Sequence, residues 1–360
     1  MRHVTIYQAE GRYAGWPANY GIWAWGDEIV LGFIAGYHKD TNGGLHSRDC
    51  SRPFETLQAR SLDGGMNWTV SPLPAQSPGG KALSADEHAD APLQFAGALH
   101  DENAFLTPQG IDFSTPELAI LCARSGLNAG SVSWYYTSVN RCHSWDGPYR
   151  LPDMGLPGIA ARTDYHILGA KRCLFFLTAT GAVTERSSRV FAAETIDGGA
   201  SFQFKGWVTP AFADGYQIMP ASVMLEGGAL VAVRAKDESI NHSWIDLYRS
   251  DDNCRSFKKI AQPVMDTGAG GNPPTLTRLH DQRLCLTYGS RRNPCGIYAV
   301  FSGDDGATWS EPTLLRAGGD SFDIGYPRTV QLDSGTMVTA YYFTEQSGGA
   351  ASIQATIWQP

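Results

Sequence analysis

One eight-residue pattern recurs along the chain and constrains its fold more than any other feature. The pattern reads Ser or Thr, any residue, Asp, any residue, Gly or Cys, any residue, a polar residue and an aromatic residue. The four close copies are SLDGGMNW (61–68), TIDGGASF (195–202), SDDNCRSF (250–257) and SGDDGATW (302–309). A fifth copy, SVNRCHSW (138–145), carries Asn140 at the Asp position. The starts at 61, 138, 195, 250 and 302 are 77, 57, 55 and 52 residues apart, about one four-stranded propeller blade each.

The pattern has a mechanical interpretation. A short Asp/Gly turn joins two strands, and the Asp and Ser/Thr side chains bond the amides of the same turn. The terminal aromatic side chain then packs between blades. We therefore expect the Asp residues of the four close copies to stabilise structure rather than to catalyse a reaction: Asp63, Asp197, Asp252 and Asp304.

A second pattern, two strands joined by a polar turn, precedes most copies, as in MPASVMLEGGALVAVRA (219–235). Its alternation of apolar and polar residues predicts strands, and no segment of helical period competes. Five such hairpins, together with the segments 111–124 and 131–145, predict six blades. The sequence thus predicts an all-β fold, a six-bladed β-propeller that spans residues 1–360 as a single domain. We expect 351–358 at the C-terminus and 4–8 at the N-terminus to complete the last blade together.

Composition limits the partners of such a fold. Hydrophobic residues make up 42% and charged residues 18%, which excludes a disordered chain or a coiled coil. The net charge is −8 and no basic cluster stands out, so neither nucleic acid nor a membrane is expected as a partner. The seven cysteines are scattered and form no CxxC pair, so neither a disulfide framework nor a zinc site is indicated. No metal or other cofactor is expected. The first residues lack the apolar segment of a signal peptide, which predicts a cytoplasmic location.

The Asp-turn pattern at these spacings resembles the Asp-box (BNR) repeats of the sialidase superfamily, over nearly the whole chain. Sialidases use a Tyr nucleophile, a Glu that assists it, an Asp acid/base and three Arg that bind the substrate carboxylate. The resemblance implies that Tyr326 in DIGYPRTVQL is the nucleophile. It implies carboxylate-binding roles for Arg234 in LVAVRA and for Arg291 or Arg292 in GSRRNP.

The acid/base position of the family falls on the loop KDTNGGLHSRDCSRP, where Asp49 is a candidate and Asp40 is less well placed. His46 and Asp49 could form an acid/base pair on this long loop, or could simply be solvated. The chain departs from the family at two points. Residues 19–22 read Asn-Tyr-Gly-Ile where the family has Arg-Ile-Pro, and Met219 stands where it has Glu.

The residues that open each inner strand of a propeller face its central channel, where ligands usually bind. By this rule Tyr20, Arg162 and Arg328 are candidate substrate contacts. Arg162 could instead pair with Asp164, two residues along the same strand. The segment 71–110 interrupts the repeat, and its length is typical of a functional loop or of a contact with another subunit.

These features predict a carbohydrate-active enzyme that acts on an acidic non-reducing end, carrying sialic acid or a uronate, by hydrolysis or by elimination. Tyr326, Asp49 and His46 are the predicted catalytic residues. The predicted substrate-binding residues are Arg234, Arg291, Arg328, Arg162 and Tyr20. The alternative is a propeller that binds an acidic oligosaccharide without catalysis, and the sequence leaves the oligomeric state open.

Overall fold

The computed structural model is an all-β protein of six antiparallel sheets arranged as a six-bladed β-propeller, with 50% strand and 3% helix. The structure describes residues 1–41, 46–78, 83–84, 88–94, 101–181, 187–319, 322–346 and 348–360. None of the helices in these parts of the chain is long and apolar enough to cross a membrane. The predicted fold class and the predicted low helix content are confirmed.

The chain enters through β1 (Arg2–Tyr7), which belongs to the last blade, and then builds blade 1. Blade 1 contains β2 (Arg12–Gly15), β3 (Gly21–Trp25), β4 (Glu28–Tyr37), β5 (Glu55–Ser61) and β6 (Thr69–Pro72). Both β2 and β3 pair with β4, so a one-turn 3-10 helix at Pro17–Asn19 interrupts the inner strand. Blade 2 contains β7 (Ala119–Arg124), β8 (Ser133–Ser138) and β9 (Asp146–Arg150). Two further 3-10 turns, Ala91–Leu93 and Glu102–Ala104, lie between blades 1 and 2 in sequence.

Blades 3, 4 and 5 each consist of four strands that are consecutive in sequence. Blade 3 contains β10 (Tyr165–Gly169), β11 (Arg172–Ala179), β12 (Arg189–Thr195) and β13 (Gln203–Trp207). Blade 4 contains β14 (Gly215–Leu225), β15 (Gly228–Asp237), β16 (His242–Ser250) and β17 (Lys258–Val264). Blade 5 contains β18 (Thr275–Arg278), β19 (Leu284–Ser290), β20 (Cys295–Ser302) and β21 (Thr313–Gly319).

Blade 6 joins the two ends of the chain. It contains β22 (Gly325–Gln331), β23 (Met337–Phe343) and β24 (Ser352–Trp358), and β1 forms its outer strand. The strands β1 and β24 run antiparallel from Arg2 opposite Ile357 to Tyr7 opposite Ile353. The predicted closure of the last blade is therefore confirmed, and β1 covers an edge of β24 that would otherwise be open.

The Asp turns are held by their own side chains. In the turn of blade 5, Ser302 Oγ accepts a hydrogen bond from the Gly306 amide at 2.9 Å and donates one to Asp304 Oδ1 at 2.8 Å. Asp304 Oδ1 also accepts from the Thr308 amide at 2.9 Å. The Ser or Thr hydroxyl and the Asp or Asn oxygen make matching bonds in the other copies. These residues are committed to the backbone of the turn, as their spacing predicted.

The aromatic side chains that end the pattern lie between blades. Phe202 of blade 3 packs edge-on against Tyr135 of blade 2, with ring centroids 5.8 Å apart. Trp145 of blade 2 packs against Trp23 of blade 1 at 5.4 Å. Burying large rings at these seams supplies much of the apolar contact that holds neighbouring blades together.

In blade 2, side-chain hydroxyls rather than a described strand accept hydrogen bonds from the inner edge of β7. Three amides on this edge donate to hydroxyl oxygens: Ile120 to Tyr165 (3.1 Å), Cys122 to Thr163 (3.0 Å) and Arg124 to Ser84 (2.9 Å). Two of the acceptors precede or begin the first strand of blade 3, and Ser84 comes from the 71–110 segment. Side-chain hydroxyls thus satisfy amides that strand pairing satisfies elsewhere in the propeller.

We expect Ser302→Ala to lower the free energy of unfolding by about 1–3 kcal/mol, because the buried amide of Gly306 loses its acceptor. Urea denaturation followed by fluorescence would measure the change. Thr313→Ala, at an exposed position of the same blade, is the matched control. Equal stability of the two variants would contradict a structural role for the hydroxyl.

Candidate functional site

The hydrogen-bond pairing of the inner strands is interrupted at three positions where a residue precedes a proline. Trp16, Met219 and Tyr326 each precede a proline and have positive φ angles of 55°, 57° and 49°. The pairing of β14 with β15 shifts around Met219, and the pairing of β22 with β23 shifts around Tyr326. A residue with positive φ and a bulky side chain costs about 1–3 kcal/mol, and such strain clusters at functional sites. The bulges turn these side chains out of the regular alternation of their strands.

Asn272 fixes the bulge that carries Tyr326. Its Oδ1 accepts from the Tyr326 amide at 2.9 Å, and its Nδ2 donates to the Ile324 carbonyl at 3.4 Å. Gly325 has a φ of +112°, and a Cβ at this position would lie 2.0 Å from Asn272 Oδ1. Only glycine leaves room for this clamp, so the orientation of Tyr326 depends on a residue in blade 5.

Two arginines flank the phenol of Tyr326. Arg234 Nη1 donates to Tyr326 Oη at 3.0 Å, and the guanidinium carbons of Arg234 and Arg291 lie 5.9 and 6.0 Å from the centre of its ring. Burial raises the pKa of Tyr326, but the two guanidiniums and the hydrogen bond from Arg234 outweigh burial and hold this pKa below its ordinary value. The phenol therefore gives up its proton more readily than a tyrosine in water.

Neutral groups hold both guanidiniums. Arg234 Nη2 donates to Tyr216 Oη at 3.0 Å and to the Gly270 carbonyl, and Arg291 donates to the Gly271 carbonyl at 2.9 Å and to Tyr342 Oη at 2.7 Å. The two residues are 7% and 2% exposed, and within the described part of the chain neither forms an ion pair with a carboxylate. Buried cations that lack carboxylate partners favour an anionic ligand.

Arg291 and Arg292 were the two candidates for the second carboxylate-binding arginine, and it is Arg291 that lies beside Tyr326. The side chain of Arg292 is 64% exposed and faces Asp266 at 3.5 Å. Met219, which stands at the position of the family's Glu, places its sulfur 3.5 Å from Arg234 Nη1. The structure thus brings together Tyr326, Arg234 and Arg291 from three blades.

His46 lies on the wall of the same site and is bound to Asp323. The distance from His46 Nδ1 to Asp323 Oδ1 is 2.6 Å. The His46 ring packs edge-on against Trp16 at 5.1 Å and lies 6.4 Å from the ring of Tyr342. Burial lowers the pKa of His46 to about 4, although Asp323 opposes the shift, so the imidazole is neutral at neutral pH.

Asp49 is bonded within its own turn. Its Oδ1 accepts from the Ser51 amide at 3.1 Å and from the Ser51 hydroxyl at 2.7 Å, and Lys39 Nζ lies 3.8 Å away. The bond from the Ser51 hydroxyl, with that from the amide, lowers the pKa of Asp49. The catalytic role of Asp49 stays a prediction, and in this structure its contacts are those of a turn.

The other predicted substrate contacts are bonded within the propeller. Arg328 Nη2 donates to the carbonyls of Ala18 at 2.8 Å and Thr163 at 2.6 Å. Arg162 donates to the carbonyls of Met219 and Pro274, each at 3.2 Å. Tyr20 is 1% exposed, and its hydroxyl donates to the Leu83 carbonyl. Their substrate-binding roles stay predictions, since all three residues hold backbone carbonyls near the channel.

A partly buried line of three polar residues joins blades 3 and 4. Ser222 Oγ donates to both carboxylate oxygens of Asp164, at 3.0 and 3.1 Å, and His166 Nε2 lies 2.8 Å from Ser222 Oγ. Because the serine proton points to the carboxylate, His166 donates to the serine and does not take its proton. This order of residues does not activate a nucleophile. Burial raises the pKa of Asp164 to about 6 and lowers that of His166 to about 4.

Sequence reasoning missed the groups that orient the site. No motif in the sequence indicated that Asn272 bonds the backbone around Tyr326 or that Asp323 binds His46. Tyr342 and Tyr216 lie in largely apolar strands, and their sequence context is typical of core residues. Among the described residues, no group of three or more His, Cys, Asp or Glu side chains could hold a metal ion.

Several solved structures have a fold similar to that of this protein. No family model and no curated protein matches the chain. Among solved structures, a protein of unknown function from Dyadobacter fermentans is 20% identical with a TM-score of 0.72, and the alignment covers 99% of this chain and 97% of that one. An α-L-arabinofuranosidase from Fusarium graminearum is 11% identical with a TM-score of 0.59, with 100% and 98% covered.

Trypanosoma rangeli sialidase is also similar, with 10% identity and a TM-score of 0.58. The alignment covers 94% of this chain but 54% of the trypanosomal protein, so this chain spans about half its length. Identities this low support the fold alone. The protein therefore has a sialidase-like six-bladed propeller fold, which is also similar to the fold of the α-L-arabinofuranosidase.

We expect Gly325→Ala to destabilise the protein more than Gly335→Ala. Both glycines have positive φ, but a Cβ on Gly335 meets no atom within 4 Å, whereas one on Gly325 collides with Asn272. Backbone strain alone should cost Gly335→Ala about 1–2 kcal/mol, and the collision should cost Gly325→Ala about 1–3 kcal/mol more. Urea denaturation measures both, and equal losses would contradict the clamp.

We expect His166 to make the protein more stable as pH rises from about 4 to 6.5. In that window the unfolded chain, with a histidine pKa of 6.5, binds a proton that the folded chain, with a pKa of about 4, does not. His166→Gln should therefore flatten the pH dependence of the free energy of unfolding, by up to about 3 kcal/mol across the window. Urea denaturation at several pH values tests this, with exposed His143→Gln as the control.

Proposed function

We propose that this protein is a carbohydrate-active enzyme that acts on a non-reducing glycan end bearing a carboxylate, with Tyr326 as the central reacting group. The observation that carries the proposal is the position of the Tyr326 phenol between two buried guanidiniums that have no carboxylate partner among the described residues. A sugar carboxylate fits Arg234 and Arg291, because guanidinium groups bind carboxylates in bidentate geometry.

The state of Tyr326 supports a chemical role beyond binding. A phenol whose pKa is lowered by neighbouring cations is both a better proton donor and a better source of phenolate. A neutral phenol also avoids the repulsion that a carboxylate nucleophile would meet from an acidic sugar. Its strained backbone and its clamp by Asn272 are typical of a preorganised reacting group.

Two reactions fit this arrangement. In hydrolysis, Tyr326 attacks the anomeric carbon and water later displaces it, as in sialidase chemistry. In elimination from a uronate, the arginines neutralise the carboxylate, which makes the neighbouring carbon–hydrogen bond more acidic. In both reactions a sugar carboxylate binds Arg234 and Arg291, so the substrate class is common to them.

A second function, binding of an acidic glycan without turnover, is favoured by Met219. The sulfur of this residue contacts Arg234 at the position where sialidases carry a Glu that assists the tyrosine. A protein that kept the arginines and lost the chemistry would still retain an acidic oligosaccharide on a column.

A mass-spectrometric screen distinguishes these outcomes. The purified protein is incubated with oligosaccharides that end in sialic acid, glucuronate or rhamnosyl-glucuronate. Products whose summed mass gains one water indicate hydrolysis, and products without that water indicate elimination. We expect the matching substrate with a neutral glucose terminus to give no product, because it offers Arg234 and Arg291 no anion.

Tyr326→Phe should lower kcat/KM on the active oligosaccharide by about 10²–10⁴-fold, since it removes a proton-transfer group. Tyr7→Phe, in the outer strand of blade 6, is the matched control and should retain full activity. Full activity of Tyr326→Phe would contradict the enzymatic proposal. Retention of an acidic oligosaccharide with no product over long incubation would favour the binding function.

A further inference from the structure

We propose that His46 is the proton acceptor of this site and that Asp323 is the positioning residue that holds it in the tautomer this role requires. The inference rests on the proposed function and deepens it by assigning the second proton-transfer group. It moves the acid/base assignment from the pair His46 and Asp49 to the pair His46 and Asp323.

Three donors converge on the carboxylate of Asp323. His46 Nδ1 lies 2.6 Å from Oδ1, the Tyr13 hydroxyl donates to the same oxygen at 3.2 Å, and the Ser47 amide donates to Oδ2 at 3.1 Å. A carboxylate that receives these bonds requires a proton on Nδ1 of the imidazole. The neutral ring then carries its lone pair on Nε2, which is the atom able to accept a proton.

The surroundings of His46 keep the imidazole neutral. The rings of Trp16 and Tyr342 lie beside it, and its side chain is 14% exposed. Burial lowers its pKa most, and the cations Arg291 and Arg48 lower it further, against the opposing effect of Asp323. The other titratable groups at this wall are Tyr13 on β2, Tyr342 on β23 and His88, whose ring lies 4.4 Å from that of Trp16.

One ring separates His46 from Tyr326. Tyr342 packs edge-on against Tyr326 at 5.8 Å and lies 6.4 Å from His46. Arg291 donates to the Tyr342 hydroxyl and faces the Tyr326 ring. In this proposal, a sugar held by Arg234 and Arg291 lies against both the phenol and the imidazole.

The two groups complete one proton cycle in either reaction. In hydrolysis, Tyr326 Oη bonds to the anomeric carbon, the glycosidic bond breaks, and the phenolic proton goes to the departing oxygen. Water then displaces Tyr326, and Nε2 of His46 takes the proton of that water. In elimination, Nε2 takes the proton from the carbon beside the carboxylate, that electron pair forms the double bond, and the departing oxygen takes the phenolic proton. In both cases the imidazolium returns its proton to the phenolate, so the enzyme is unchanged.

The tautomer can be measured without a substrate. Long-range ¹H–¹⁵N spectra of protein labelled with [¹⁵N]histidine report which ring nitrogen carries the proton, and His46→Gln assigns the signal. We expect the Nδ1–H tautomer in the wild type, and a shift toward Nε2–H in Asp323→Asn. His38→Gln, which removes a histidine bound to the Gly348 carbonyl outside this site, should leave the His46 signal unchanged.

Turnover of the oligosaccharide found active in the screen gives the second test. His46→Gln and Asp323→Asn should each lower kcat by about 10²-fold or more, and the acidic limb of the pH profile should move in Asp323→Asn. His38→Gln should keep wild-type kinetics. Full activity of His46→Gln, or loss of activity confined to Asp49→Asn, would overturn the proposal.

The two proposals fail separately. If no acidic oligosaccharide is turned over, the enzymatic function fails, and the tautomer of His46 still decides whether Asp323 orients the imidazole. An Nε2–H tautomer in the wild type overturns this inference whatever the activity. Because that measurement uses the wild-type protein, it stands even if Asp323→Asn fails to fold.

Discussion

The site depends on two arginines that reach from one blade of the propeller to others. Arg328 starts in blade 6 and binds carbonyls of Ala18 and Thr163, which lie beside the inner strands of blades 1 and 3. Arg162 lies just before blade 3 and binds the carbonyls of Met219, in the first strand of blade 4, and Pro274, just before blade 5. Inner strands of different blades share no ladder, so their relative positions must be set by side chains. The hydrogen bonds of Arg328 and Arg162 link the inner strands of several blades.

The arrangement of charge at the centre contrasts with the charge of the whole chain. The protein carries a net charge of −8, yet the guanidiniums around Tyr326 are held by carbonyls and phenols. Neutral acceptors satisfy hydrogen bonds without cancelling charge, so the positive potential stays available to a ligand. Asp164, the carboxylate buried near Arg162 and Arg328, lies with the arginines that hold the strands.

The sequence was informative about the fold because the Asp turns are local. Every bond of such a turn joins residues within a few positions, so the pattern can be read from the chain alone. Tyr326 and Arg234 could also be predicted from the sequence, since each occupies a recognisable place in a strand. The pair His46 and Asp323 was not, because 277 residues separate them and the propeller brings them together. The sequence could not decide between Arg291 and Arg292, because the two are identical neighbours. Only the structure shows which of them is buried.

The closure of blade 6 has a consequence for how the protein is made. Its outer strand, β1, precedes the five other blades in sequence, and its third strand, β24, follows them. The blade that carries Tyr326 therefore cannot be completed until β24, which follows the other blades in sequence, has been synthesised. Pairing of the most distant segments of a chain is also the slowest step that topology can impose. Closure of the blade that carries Tyr326 thus depends on pairing between segments that lie far apart in the sequence.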